Sequence, residues 1–356
     1  MIKDKFCVIG VMSGTSLDGI DLALISFKKE TDWSFKINKA TTIAYSQDWT
    51  NRLKSLTDLN SSQLDSLDQE YTTYLANIIN QFIQENDIKT IDAVCSHGHT
   101  ALHQPDLGYT LQIGNLPKLA TLIKQNVVCD FRVQDVKLGG QGAPLVPIGD
   151  QLLFNQYNWC LNLGGFANIS CQAENQRIAF DICPVNIVLN KYVNSLGLSF
   201  DNKGSIARNG NICQPLLQQL NSLPFYTQKH PKSLGLEWVK TNIFPLIDSY
   251  NLKTEDILHT YVKHCAQQIA AIINQTDKAS VLATGGGVFN SFLIEEIQAL
   301  TSNKIVIPST KIIEFKEALI FGFLGVLRLL NQNNCLKSVT GASKDHSSGN
   351  IYKFNP

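Results

Sequence analysis

The chain has no paired cysteine motif. Its nine cysteines are an odd number, and no two are spaced as C-x-x-C. That argues against a structural zinc knuckle and against a disulfide framework. Cys7, Cys129 and Cys160 lie in apolar, strand-like runs, where a reduced thiol packs as a small hydrophobe. Net charge is also missing, with 30 basic residues balancing 30 acidic ones. Nothing in that balance selects nucleic acid or an anionic membrane as the main partner. No apolar run is long enough to span a bilayer: the longest, Ala318 to Leu327, is closed by Glu317 and Arg328. The opening residues pass straight into a strand-like segment, without a signal-type apolar core or a small-residue cleavage site. A cytoplasmic protein is expected. The glycine-rich stretch "GVMSGTSLDGID" (residues 10–21) lacks the lysine that closes a Walker-type phosphate loop. What remains is ordinary globular material: 356 residues, 44% hydrophobic and 17% charged, enough for about two domains.

Hydrophobic spacing organises the chain. Phe6 to Val11 reads as a short strand. After the glycine-rich stretch, Ile20, Leu22 and Leu24 recur with a period of two, which predicts a second strand. The stretch is therefore the turn of a β-hairpin, whereas a Walker loop joins a strand to a helix. Residues 61–85 carry apolar side chains at spacings of three and four, a helical stripe. Ile91 to Cys95 is a buried strand, with "SHGHTALH" at its end. Leu116 to Lys124 is a helix candidate. Val127 to Cys129 is a further strand, followed by the polar loop "DFRVQDVKLGGQGAPLVP". At Trp159 the pattern restarts: "WCLNLGGFANIS" is strand, Gly-Gly turn, strand. A third strand, Arg177 to Phe180, ends in Asp181. Residues 257–274 form an amphipathic helix. "SVLATGGGVFN" is a strand and glycine turn leading into a helix that Asn290 caps. "KIVIP" is a strand and Glu317 to Leu330 a buried helix, and the polar tail from Asn331 is expected on the surface. Alternating strands and helices mean α/β. A hairpin opening each half suggests a duplicated, two-lobed architecture.

Several residues carry chemistry. In the first hairpin Gly14 and Gly19 permit close backbone approach. Ser13, Thr15 and Ser16 offer hydroxyls, and turn amides can form a concave anion site without lysine. Asp18 and Asp21 would repel phosphate alone, but fit a hydrated Mg²⁺ set between them and phosphate oxygens. An ordinary Asp-Gly hairpin turn accounts for the same residues. Gly285, Gly286 and Gly287 let a flat ligand lie against the backbone near a helix N-terminus, or simply make a flexible turn. Gly164 and Gly165 repeat the hairpin signal.

The three glycine turns, in this order, resemble the ATPase fold shared by actin, hexokinase and the heat-shock chaperones. A closer resemblance is to the anhydro-N-acetylmuramic acid kinases. It is carried by "GVMSGTSLDGIDLAL", "SHGHTALHQP", "LQIGN", "VVCDFRVQDVKLGGQGAPLVP", "NLGGFANIS", "PKSLGLEW", "TGGGVFN" and "SVTGASKD", in order over nearly the whole chain. The resemblance implies an actin-like (ribonuclease H-like) fold with an interlobe cleft. An N-terminal lobe (1–130) would carry the phosphate hairpin. A C-terminal lobe (131–356) would carry the second hairpin, the catalytic aspartate and an adenosine-binding glycine turn. It further implies a cytoplasmic kinase of peptidoglycan recycling that uses ATP and Mg²⁺, and dimers are common in the family. The substrate would be 1,6-anhydro-N-acetylmuramic acid, opened by water and phosphorylated on O6.

The family match assigns residues. Gly14, Thr15, Ser16, Leu17, Asp18, Gly19, Ile20 and Asp21 would bind ATP, together with Gly164, Gly165 and Gly285 to Gly287. Asp18 and Asp21 would be the metal-side carboxylates. Asp181 would be the catalytic base, a strand-end carboxylate placed to activate water; a cap on the following segment is the other reading of it. His97, Asp130, Arg132 and Gln141 would meet the sugar. Arg132 can clasp the lactyl carboxylate, or form an interlobe salt bridge. His97, His99 and His103 have ligand-like spacing, but the family carries glutamine at the His99 position, so zinc is not expected there. Two departures stand out. Ile182, Cys183 and Val185 replace a threonine and two glycines, and Leu236 replaces an arginine. They keep open a kinase of another anhydrosugar, such as levoglucosan, and a nucleotide-binding protein without kinase activity.

Overall fold

The computed structural model describes residues 3–14 and 16–355. The chain divides into two compact units, residues 1–153 with 315–356, and residues 154–314.

The first unit is built on a seven-stranded sheet. Its hairpin is β1 (Lys5–Ser13) and β2 (Ile20–Lys29), and β3 (Trp33–Ile43) extends it. On the other side of β1 lie β4 (Ala93–Gln104), then β6 (Val127–Cys129), then β12 (Asn350–Tyr352). β5 (Tyr109–Ile113) pairs with the far end of β4. β1 is antiparallel to β2 and parallel to β4. Both faces of β1 are covered, as a mostly apolar central strand requires. Ile9 and Val11 join the core formed with Tyr71, Leu75 and Ile79 of the helix Ser61–Glu85. Val8 and Gly10 face the helix Thr310–Leu329. A Cβ on Gly10 would sit 1.9 Å from the Ala318 carbonyl oxygen, so only glycine lets that helix approach. The helix Ser61–Glu85 starts with a reciprocal cap: Asn60 Oδ1 accepts from the Gln63 amide and Gln63 Oε1 from the Asn60 amide, each at 3.0 Å.

The second unit repeats the plan. β7 (Trp159–Leu163), β8 (Phe166–Ala173) and β9 (Gln176–Pro184) form an antiparallel meander. β10 (Ser280–Thr284) and β11 (Lys304–Val306) continue it in parallel on the other side of β7. The spatial order is β9-β8-β7-β10-β11, against β3-β2-β1-β4-β6 in the first sheet. The same order and the same strand senses occur twice, so the duplication suggested by the two hairpins is real. This is the ribonuclease H-like topology, and the α/β expectation holds. Its core packs Leu161, Ile169 and Val281 under Tyr261, Cys265 and Ile269 of the helix Thr254–Ile273. Asn290 caps the helix Ser291–Ala299, accepting from the Leu293 amide at 3.0 Å.

Four readings of the sequence change. The lobe boundary at 130/131 moves: residues 131–153 belong to the first unit, and the chain returns to it at Phe315. The cause is the tail, which stitches the loop after β6 in place. The Gln141 amide donates to Thr340 O (2.7 Å), the Ser343 amide to Leu138 O (3.0 Å), and Ser348 Oγ to Phe131 O (2.6 Å). For the same reason the tail is not a surface segment. Asn334, Thr340 and Ser348 are buried, with their polar groups paired to backbone, and β12 completes the sheet. "SHGHTALH", at the end of the Ile91 to Cys95 strand, continues it as β4. The stretch read as a polar loop holds one short helix, Val133–Lys137, and a second, Pro147–Leu153, starts at its last residue. β9 runs past Asp181 to Pro184. All nine cysteines are free thiols. No helix among the described residues is long and apolar enough to cross a membrane.

Candidate active site

Each unit presents candidate residues, taken here in turn. In the first unit the turn after β1 is short. The Leu17 amide donates to Gly14 O at 3.3 Å, and Leu17 takes a left-handed φ of 63°. Ser16 and Asp18 are exposed. Thr15 lies outside the described residues. A Cβ on Gly19 would come within 2.5 Å of Ile43 O, so glycine brings the turn's end against β3, and Ile20 is wholly buried at the start of β2. Asp21 Oδ1 accepts from Thr42 Oγ1 at 2.6 Å.

Ser13 is turned inward. Its hydroxyl is buried and joins a chain running Tyr71–Tyr45–Ser13–His99, with Ser13 Oγ 2.6 Å from Tyr45 Oη and 2.7 Å from His99 Nδ1. Burial pushes Tyr45 up to about 12 and His99 down to about 4, so both are uncharged near neutrality. The chain of hydrogen bonds fixes the end of β1.

The loop after β6 builds around Arg132. Its Nε donates to His97 Nε2 at 2.9 Å and its Nη1 to Gly142 O at 2.7 Å. Nη2 has no partner among the described residues. His97 Nδ1 lies 2.9 Å from Gly98 O, so the network assigns the proton to Nδ1 and the lone pair to Nε2. Desolvation, then the Arg132 charge, holds His97 well below its ordinary value. Its ring and the guanidinium both pack on Phe321. His97 is thus the neutral support of Arg132. His99 and His103 are engaged elsewhere: His103 Nδ1 lies 3.0 Å from Thr110 Oγ1. Asp130 does not pair with Arg132. Its Oδ2 accepts from Asn350 Nδ2 at 2.8 Å, which ties it to the tail strand, and burial raises its carboxyl. The Gln141 side chain is exposed, with its backbone anchored to Thr340.

Sequence reasoning missed Glu317. It reaches solvent, yet crowding by protein raises its carboxyl. Arg132 pulls it back down and the Asp21 charge adds to the rise. One signal was available: a Lys316-Glu317 pair at the head of an otherwise apolar helix. Asp21 and Glu317 give an all-oxygen set of the kind a hard, hydrated cation takes.

In the second unit Asp181 sits on β9, opposite Asn168 at a bulge. Its amide donates to Lys232 O at 3.1 Å, and its Oδ2 accepts from the Leu234 amide at 2.8 Å. The carboxylate thus holds the "PKSLG" loop (231–235) and leaves Oδ1 without a partner among the described residues. Desolvation raises it above the ordinary aspartate value, partly offset by the Leu234 hydrogen bond. Ile182, Cys183 and Val185 are buried in the core, while Leu236 is exposed. The Gly164 and Gly165 carbonyls accept from Asn186 (3.3 Å), and from Val185 (2.8 Å) and Ile187 (3.3 Å), at the head of the helix Asn186–Val193. The Gly164 amide donates to Phe166 O at 3.2 Å, and the Gly165 amide makes no backbone hydrogen bond among the described residues. Gly285 has φ 82°, and a Cβ there would lie 2.6 Å from Asn162 Oδ1. Gly286 is exposed and Gly287 buried. Phe289, a further residue missed from the sequence, stands 48% exposed just beyond the turn.

A family model described as anhydro-N-acetylmuramic acid kinase matches residues 6–354. A Francisella tularensis subsp. novicida protein named anhydro-N-acetylmuramic acid kinase is 33% identical, over 99% of this chain and 100% of that protein. A Sulfurovum protein of the same name is 30% identical over 99% and 100%. Among solved structures, a glucokinase of the ROK family from Streptomyces griseus, in complex with glucose and AMPPNP, gives a TM-score of 0.42. It is 10% identical over 89% of this chain and 98% of that one.

Proposed function

The chain belongs to the anhydro-N-acetylmuramic acid kinase family, and we propose that it hydrolytically opens 1,6-anhydro-N-acetylmuramic acid and phosphorylates it on O6 with ATP. The observation that carries the residue assignment is Asp181, a strand carboxylate with a raised proton affinity, one oxygen anchored and the other available. The substrate's bridge joins C1 to O6. Water attacks C1 as its proton passes to Asp181. The C1–O6 bond breaks, and O6 attacks the γ-phosphorus. The bond from that phosphorus to the β–γ bridging oxygen breaks, and ADP leaves. The proton on Asp181 is later released to solvent. A base poised above the ordinary aspartate value suits this transfer, and the rest of the task is positioning and charge neutralisation.

The turn amides from Gly14 to Gly19, with Ser16, are assigned to the phosphates, and Gly165 contributes an amide. A magnesium ion, when bound, supplies positive charge against the phosphate oxygens. Asp18 and Asp21 would hold it through its waters, with Glu317 joining them. Gly285 to Gly287 are assigned to adenosine, with Phe289 beside the base. Phe289→Ala is expected to raise KM for ATP about tenfold, as loss of one aromatic face against a base costs roughly 1–3 kcal/mol. The kcat should stay within a factor of two or so, and an unchanged KM removes Phe289 from the site.

Arg132 is assigned to the lactyl carboxylate, through its remaining Nη2. Arg132→Met is expected to raise KM for anhydro-N-acetylmuramic acid by about 10–100-fold, the scale of a lost charge-assisted hydrogen bond. Turnover of levoglucosan, which has no carboxylate, should change far less. If both substrates lose equally, Arg132 is a support of the loop and not a clasp. The parent activity is checked by ADP release with Mg-ATP and each anhydrosugar. Release with levoglucosan and none with the muramic sugar overturns the proposed substrate.

A further inference from the structure

Asp135, Cys335 and His346 are all buried in the first unit, and one carboxylate oxygen, Sγ and a ring nitrogen lie within 4.8 Å of one another. None of the three was needed for the kinase reading. We propose that they bind a divalent transition-metal ion of the zinc type, which clips the C-terminal tail to the loop that carries Arg132.

His346 Nδ1 lies 3.1 Å from Lys344 O, a pure acceptor, so Nδ1 carries a proton, and in the neutral ring Nε2 presents a lone pair. Nε2 is buried and makes no hydrogen bond among the described residues. It faces Asp135 Oδ1 at 3.6 Å, another acceptor. Two acceptors do not face each other in a dry interior unless something positive lies between them or on one of them. The spacing suits an ion, since tetrahedral zinc sets its nitrogen and oxygen ligands about 3.3 Å apart. Cys335 supplies the third, soft donor. Carboxylate, thiolate and neutral imidazole around a dication sum to zero charge, which is what a buried site tolerates.

The carboxylate is also held as a ligand would be. Oδ1 accepts from Thr340 Oγ1 and Oδ2 from the Gly142 amide, each at 2.7 Å. Gly142 in turn offers its carbonyl to Arg132 Nη1. One end of the clip therefore bears on the arginine loop. The other end is the tail, where Cys335 and His346 pair backbone to backbone.

The test is cobalt substitution of the full-length protein after chelator treatment. Stoichiometric Co²⁺ uptake with a thiolate-to-cobalt charge-transfer band, bleached by added Zn²⁺, is expected. Cys335→Ser should abolish the band. His346→Gln, whose amide can still donate to Asp135 and so preserve the fold, should weaken Zn²⁺ binding about 100-fold or more, beyond the usual effect of an outer-shell change. Zn²⁺ should raise the melting temperature of the parent but not of Cys335→Ser. Absence of a thiolate band in the parent overturns the proposal, and so does a band that persists in Cys335→Ser. His346 is then an imidazolium paired with Asp135. Should Cys335→Ser fail to fold, unchanged Zn²⁺ affinity in His346→Gln overturns it equally.

Discussion

Asp181→Asn is expected to lower kcat by about 10³-fold while leaving ATP affinity within a few-fold of the parent. The substitution removes proton affinity and little else. The asparagine carbonyl oxygen still accepts from the Leu234 amide, so the 231–235 loop and the end of β9 keep their anchor. What is lost is the capacity to take the proton from the attacking water. The pH profile gives an independent reading. A base works only when deprotonated, so activity falls as the pH drops through its pKa. Desolvation raises Asp181, which places the acid limb of kcat/KM above the range of an ordinary aspartate. In Asp181→Asn that limb should disappear from the residual activity. Turnover above a tenth of the parent, or an unaltered acid limb, would show that another group is the base.

Much of this was legible in the sequence, for a physical reason. A period of two in Ile20–Leu22–Leu24 and a period near four in residues 61–85 report which face is buried, and burial of one face is what makes these elements. The hairpins were readable because the turn glycines interrupt that pattern. Asn290 was readable as a cap because the chemistry is local to three residues. β3 was overlooked although Trp33, Phe35 and Ile37 alternate, and its burial is as partial as that alternation implies. The tail failed for a different reason. Asn334 and Ser348 are polar and yet buried, because each finds backbone partners in distant segments, and no local pattern records a partner.

The candidate site shows the same division. Asp181, His97 and Arg132 sat in recognisable stretches, but their division of labour did not. Arg132 is supported by a neutral histidine 35 positions away in sequence, and Ser13 is turned inward by Tyr45 and His99. Asp130 is spent on the tail strand. Ile182, Cys183 and Val185, which stood out in the sequence, are side chains filling the core of the second unit.

Lys316→Met is expected to destabilise the protein by about 3–5 kcal/mol, the scale for breaking a buried ion pair from one side. In a unit of this size that is a fall in melting temperature of about 10 °C. Lys316 Nζ lies 2.8 Å from Asp150 Oδ1, with 8% and 5% of the two side chains exposed. The cost lies less in the lost attraction than in a carboxylate kept in the interior without its cation. The double variant Lys316→Met with Asp150→Leu should therefore recover most of the loss. Added salt should not mimic the single variant, because a pair this buried is poorly screened. The pair also has a positional consequence. Lys316 follows the non-helical Phe315, where the helix resumes, and directly precedes Glu317. Asp150 lies on the helix Pro147–Leu153, where Gly149 lets Ile320 pack against the backbone. The ion pair thus pins the start of the helix that carries Glu317. In the double variant the melting temperature should return while kcat stays depressed, since apolar packing restores stability without restoring a fixed direction for Glu317. Recovery of both together would reduce the pair to a stability element, and recovery of neither would mean that Asp150 has a role of its own.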